Sequence, residues 1–365
     1  MLVVIWAICL AIFLRFMEPP AMSDQIGYFL DADDPSSIGI GVRDFRIGLL
    51  LPLNVLMRLF GYSELSYYFF PFLAFAGTTS VIFGLGRAYF STFTGLFAAF
   101  LFAVTPAVLG DVSHLLPDYF TATLVGAAVL VLIHATRGMS AGTRSTNRLT
   151  ALFALAGMLL GLSYLVREFA VLVYPMIGLA MLLLRVRFRY FAALGAGALF
   201  FLGLEFIWGA LHYGDPFTRL RYVVFTRQEV VAAMDFADVP YETEFWPALW
   251  QFFDRGSVNF PILSWLFILG LLSFVWLAIR ATRRYAYLVA WGLTSWILLS
   301  VIAVIPTLGG DLILRLHKFR YWVLGLPPLY VVIAASVWLG PQALMRLLVD
   351  RRMPARITTP PAEVG

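Results

Sequence analysis

Apolar stretches of roughly 16–20 residues recur along the chain, separated by short polar breaks. No water-soluble fold can hide that many of them. In lipid, only helices and closed barrels leave no backbone N–H or C=O unpaired. Barrel strands alternate apolar and polar residues, and these runs do not alternate. The chain therefore reads as an all-α, polytopic integral membrane protein. Composition agrees, with 61% hydrophobic and 13% charged residues, against roughly 45–50% and about 25% in soluble domains.

With about 17–25 residues needed to cross a bilayer, ten runs qualify as spans. They lie near 1–16, 66–86, 92–110, 118–136, 149–166, 168–184, 190–210, 260–279, 285–305 and 321–340. The first lacks a basic leader and a small-residue cleavage site, so it reads as a retained span rather than a signal peptide. If the N-terminus is cytoplasmic, the inner loops hold 14 basic residues and two acids, and the outer side holds 12 basic residues and 19 acids. Positive-inside bias favours that orientation strongly. It places both termini in the cytoplasm and the two long loops, 17–65 and 211–259, outside. The expected organisation is one transmembrane domain over 1–352 with a disordered tail, 353–365, in a plasma membrane of the bacterial inner type. The net charge of +5 comes from scattered arginines rather than a basic stripe, so nucleic acid is not an expected partner. The single cysteine, Cys9, permits no intramolecular disulfide.

Polar groups at the outer membrane surface require explanation. Asp24 follows the first span closely and is either a helix N-cap or a partly desolvated carboxylate fit to act as a general base. Asp31, Asp33 and Asp34 lie by a Pro/Ser/Gly turn and read as solvated. Phe45–Phe60 is too short and too polar to span; it suits an interfacial amphipathic helix stopped by Gly61. Asp111, His114 and Asp118 fall within eight residues of one another. They offer a low-specificity divalent-cation set, with a metal-free site as the other option. Arg167-Glu168 between two apolar runs is either a surface turn with a local ion pair or a functional pair, and Glu205 lies about one and a half turns inside its span. Arg315, His317, Lys318 and Arg320, followed by Tyr321, put cations on the acidic side, where positive-inside bias does not call for them. They suit a bound lipid phosphate or headgroup anchoring of the last span.

In order along the chain come Asp24 and Tyr28, then Leu59-Phe60-Gly61-Tyr62-Ser63-Glu64, Thr105-Pro106, and Ser113 to Asp118. Gly161 to Arg167, Tyr213-Gly214-Asp215-Pro216, and Arg320-Tyr321 before Pro327-Pro328 follow. This series resembles the GT-C superfamily of membrane glycosyltransferases, in the branch of protein O-mannosyltransferases and aminoarabinose transferases. The resemblance implies transfer of a sugar from a polyprenyl-phosphate donor to an acceptor on the outer face, with membrane lipid as surroundings and the acceptor a glycan, lipid or protein. It implies Asp24 as the catalytic carboxylate that deprotonates the acceptor hydroxyl. Asp118, with Asp111 as the weaker match, corresponds to the second-loop acidic position. The first loop lacks the paired Asp-Glu of mannosyltransferases.

The residues themselves point the same way. Direct, inverting displacement at an anomeric carbon needs a base near the nucleophile and positive charge near the departing phosphate. Asp24 and Asp118 suit the first role. Arg167, Arg315, His317, Lys318 and Arg320 suit the second, with Tyr28, His114, Glu205 and Tyr321 as further substrate contacts. The competing class is a transporter or flippase, favoured by 29 Gly and 19 Pro that could break helices around a midplane site. No inverted repeat supports it.

Overall fold

The computed structural model describes residues 1–20, 24–34, 45–222, 261–281, 283–293, 304–306, 312–314 and 323–338. The helices, in chain order, are α1 (Leu2–Phe16), α2 (Asp24–Asp33), α3 (Ile47–Phe60), α4 (Glu64–Tyr89), α5 (Thr92–Ala103), α6 (Pro106–Asp111), α7 (Pro117–Ser140) and α8 (Thr146–Val166). After a 3₁₀ segment, Glu168–Val173, come α9 (Tyr174–Leu183), α10 (Phe188–Tyr213), α11 (Thr218–Arg221) and α12 (Pro261–Ala281). Among the described residues, α4, α7, α8 and α10 are long and apolar enough to cross a membrane, and six shorter apolar stretches of helix accompany them, among them Val323–Trp338. The protein is an α-helical membrane protein, as its apolar runs predict.

Two departures from the expected spans have local causes. The run 92–110 breaks into α5 and α6 because Pro106 donates no N–H and holds Thr105 extended, at ψ 124°. The run 285–305 is helical over 286–293 but ends in a strand, Val304–Pro306, paired antiparallel with Leu312–Leu314. The β-branched Val304 and Ile305 suit a strand better than a helix end.

In the bundle, α8 lies between α7 and α10, and α4 packs on α1, α5 and α7. The main core runs through α1, α4, α5, α7, α8 and α9 and takes in Trp291 and Tyr330. A second, smaller core joins Tyr28, Phe29 and Ala32 of α2 to Leu49, Leu50, Leu53 and Met57 of α3, and both to Tyr67, Phe70 and Leu115. The interfacial-helix segment is thus helical, and Gly61 ends it at φ +75°. Its fourteen residues reach about 21 Å, short of a hydrocarbon core of about 30 Å. The described acidic part of the first loop is helical rather than a turn, while Asp33 and Asp34 are exposed, as solvated carboxylates are. Asp24 opens α2, Asp31 and Asp33 sit in its last turn, and Asn54 donates to the Ala32 carbonyl at 2.7 Å.

The two ends of the bundle differ in charge. At one end Arg137 reaches the Ala88 carbonyl, Arg284 lies over the Tyr285 ring, and Arg189 bonds the Tyr190 hydroxyl. The opposite end carries α2, α3 and the carboxylates described next.

Candidate functional site

The sequence ends α8 abruptly. Arg167 turns extended, at φ −154° and ψ 128°, and Glu168 begins a 3₁₀ segment. The two side chains therefore diverge rather than pairing locally. Arg167 donates to the Asp118 carboxylate at 2.5 Å, with both side chains buried, whereas Glu168 faces Arg219 at 3.4 Å and Arg46 at 3.9 Å. Arg219 also donates to Glu205 at 3.0 Å and to the Tyr164 carbonyl at 3.1 Å, and its guanidinium covers the Tyr164 ring. Arg46 covers the ring of Tyr28 at 5.2 Å. Three guanidiniums and three carboxylates, all buried or nearly so, thus converge from α3, α7, the α8 break, α10 and α11.

Backbone packing makes this possible. A Cβ on Gly48 would lie 2.8 Å from Leu165 Cβ and 2.9 Å from the Val166 nitrogen. Only glycine lets the start of α3 sit on the end of α8, which brings Arg46 to Glu168. Burial first, and the Arg167 charge after it, bring the pKa of the Arg46 guanidinium down to about 10, with Glu168 working against the fall. Arg46 stays cationic at neutral pH.

A second cluster sits beside it. His114 lies 3.4 Å from Asp111 and 3.9 Å from Glu18, the Tyr119 hydroxyl donates to Asp111 at 3.5 Å, and the Glu18 N–H donates to Ser113 at 3.0 Å. Asp118 is not part of this cluster; its carboxylate faces Arg167 instead. The expected metal trio of Asp111, His114 and Asp118 is therefore divided between two neighbourhoods. Among the described residues no three His, Cys, Asp or Glu side chains form a group that could hold a metal ion.

Of the residues expected from sequence, Tyr28, Asp118, Arg167 and Glu205 are tied into the ion network and its edge. His114 and Asp111 stand apart, and Asp24 heads α2, the helix that carries Tyr28. Arg315, His317, Lys318, Arg320 and Tyr321 lie outside the described residues. Sequence reasoning missed Arg46, which looked like one polar residue of an amphipathic helix, and Arg219, whose partners are 14 and 51 positions away. The one available signal was a carboxylate inside a span, Glu205, which requires a cation from somewhere.

Residues 50–208 match the dolichyl-phosphate-mannose-protein mannosyltransferase family. No curated protein matches the chain. Among solved structures, the chain is similar to ArnT from Cupriavidus metallidurans bound to undecaprenyl phosphate, at 15% identity and a TM-score of 0.63, over 96% of this chain and 62% of that one. It is also similar to the oligosaccharyltransferase AglB from Archaeoglobus fulgidus in complex with an inhibitory peptide and a dolichol-phosphate, at 15% identity and 0.55, over 97% and 52%. The same archaeal enzyme in complex with Zn and sulfate matches at 16% and 0.53, over 96% and 51%. The chain thus spans about half to three-fifths of the length of these proteins. The fold they share with it is that of the GT-C membrane glycosyltransferases.

Proposed function

We propose that this protein is a membrane glycosyltransferase that moves a sugar from a polyprenyl-phosphate donor to an acceptor hydroxyl on the outer face. The observation that carries the reading is the buried network of Arg46, Asp118, Arg167, Glu168, Glu205 and Arg219 at the end of the bundle where α2 begins with Asp24. Charges at membrane depth are costly and rare unless they serve function. The fold supports the same reading, as do the lipid phosphates named for its structural relatives.

In this reading Asp24 takes the proton of the acceptor hydroxyl as that oxygen attacks the anomeric carbon. The bond from that carbon to the phosphate oxygen breaks, its electrons leave with the lipid phosphate, and the configuration inverts. Arg315, His317, Lys318 and Arg320, with Tyr321, hold the departing phosphate from the last outer loop. Asp118 holds Arg167 in place rather than serving as a second base, because its carboxylate is already engaged by a guanidinium. His114 and Asp111 shape the neighbouring surface. Transfer is tested with purified protein and a panel of polyprenyl-phosphate sugars, following lipid phosphate release and sugar incorporation into candidate acceptors. Absence of both with every donor, from protein that is folded and pure, would reject the reading.

A further inference from the structure

A cleft between the start of α3 and the last turns of α10 has a chemistry that the ion network leaves unanswered. It is open at its mouth and narrows to a floor of ≈ 10 Å³, room for about one water-sized group, and is lined by Phe45, Trp208, Tyr213, Pro216, Glu205 and Arg219. Glu205 is only 7% exposed. Its Oε1 accepts from Arg219, while Oε2 is buried without a hydrogen-bond partner. The Tyr164 hydroxyl also comes within hydrogen-bonding reach of this carboxylate, whose oxygens, with two lone pairs each, can still accept a further donor. Three residues further along α10, on the same helix face, the indole Nε1 of Trp208 is a buried donor that is likewise without a partner.

An unanswered acceptor beside an unanswered donor is an arrangement that native chains keep when something fills it. A hydroxyl answers both at once, since its O–H donates to Glu205 and its oxygen accepts from Trp208. An ammonium does not: it has nothing to accept the indole N–H, and Arg219 already balances Glu205 at 3.0 Å. The walls are aromatic, with Phe45 and Tyr213 at 5.7 Å between ring centres and Trp208 stacked on His212. At the open mouth such surfaces suit the apolar face of a sugar ring, of which a single hydroxyl enters the floor. We propose that Glu205 and Trp208 form a specificity subsite that reads one neutral hydroxyl of a sugar, belonging to the donor or to a saccharide acceptor. The inference rests on the glycosyltransferase reading for how a sugar comes to be there.

The test does not depend on turnover. In ¹⁵N-labelled protein in detergent, the Trp208 indole N–H resonance is identified, among ten tryptophans, by its loss in W208F. It should shift with at least one methyl hexopyranoside, fail to shift with one monodeoxy version of that sugar, and stop responding in E205Q. W208F keeps an aromatic ring, removes the N–H and touches no ion pair, so it supplies affinities even if E205Q folds poorly. A short-chain polyprenyl-phosphate hexose, offered without acceptor, should bind W208F about 10- to 100-fold more weakly if the hydroxyl is the donor's. An unchanged donor affinity with a higher KM for the acceptor assigns the hydroxyl to the acceptor. An indole signal indifferent to every sugar marks a pocket that holds only water and overturns the proposal, as does a larger response to an amino sugar than to its neutral parent. A sugar-dependent signal in a protein that transfers nothing would retain the subsite and reject the transferase reading.

Discussion

At the scale of single residues, the pairing of Asp118 with Arg167 decides how mutations there are to be read. Both side chains are buried, and removing one member of such a pair leaves the other as an uncompensated charge, at a cost of about 3–5 kcal/mol. Arg167→Ala should therefore lower the thermal midpoint in detergent, and Asp118→Asn should do the same. Arg167→Lys should restore only part of it, because an ammonium lacks the planar fork. Wild-type stability in Asp118→Asn would mean that the pair is not structural and would return Asp118 to the catalytic role that sequence assigns it. Asp24 is expected to behave differently. Asp24→Asn keeps size and hydrogen bonding but removes the basic lone pair, so transfer should fall by about 10²–10⁴ while folding is unaffected. A variant within threefold of wild type would reduce Asp24 to the cap of α2. Loss of phosphate-holding charge gives a third pattern. Arg320→Ala should weaken donor use by about 10- to 150-fold, at roughly 1.5–3 kcal/mol for a charge-assisted bond, with little change for the acceptor. An effect on protein yield alone, with donor kinetics intact, would make that cluster a headgroup anchor. Sequence alone could single out Asp118, Arg167 and Glu205 because each is costly where it stands. It could not pair them, since neither Arg46 nor Arg219 stands out in its local context.

At the scale of elements, helix existence was legible wherever an apolar run was long, and less so where the chain turns at the surface. The segment that became α3 showed its amphipathic period and its glycine stop. α2 did not, because its stability comes from Tyr28, Phe29 and Ala32 packing on α3 and α4 rather than from an apolar run. The close contact of α8 with α10 depends on small residues. A Cβ on Gly157 would meet the Leu194 carbonyl oxygen at 1.9 Å, and one on Gly197 the Ala154 oxygen at 2.1 Å. Backbone atoms cannot yield as side chains do, and small residues are what allow membrane helices to approach. Gly157→Ala and Gly197→Ala should each push α10 away from α8, loosen Arg219 from Glu205 and Glu168, and lower both stability and activity. Gly203→Ala is the control, because nothing lies within 4 Å of its Cβ position on the same helix. Gly203→Ala should be neutral or slightly stabilising, since alanine is the better helix former. Equal loss in all three, measured by thermal unfolding in detergent, would mean that helix packing is not what these glycines serve.

At the scale of the whole molecule, the charge pattern and the site share one explanation. The bundle carries exposed arginines, Arg137, Arg189 and Arg284, at one end and guanidiniums buried against carboxylates at the other, an asymmetry of the kind that loop charges alone predict. Positive-inside bias predicts a cytoplasmic arginine end, and in the proposed orientation a lipid-linked donor is used on the opposite face. Exposed positions test this directly. In a Cys9→Ala background, Glu64→Cys lies at the α3–α4 corner near the proposed site, and Thr143→Cys lies in the loop between α7 and α8; both parent residues are exposed. An impermeant thiol reagent added to intact cells should label the first and spare the second, and permeabilised cells should give labelling at both. Labelling of Thr143→Cys alone in intact cells would invert the molecule. The ion network would then face the cytoplasm, and acceptors would have to be sought among cytoplasmic molecules, even though the fold and every contact within it stayed the same.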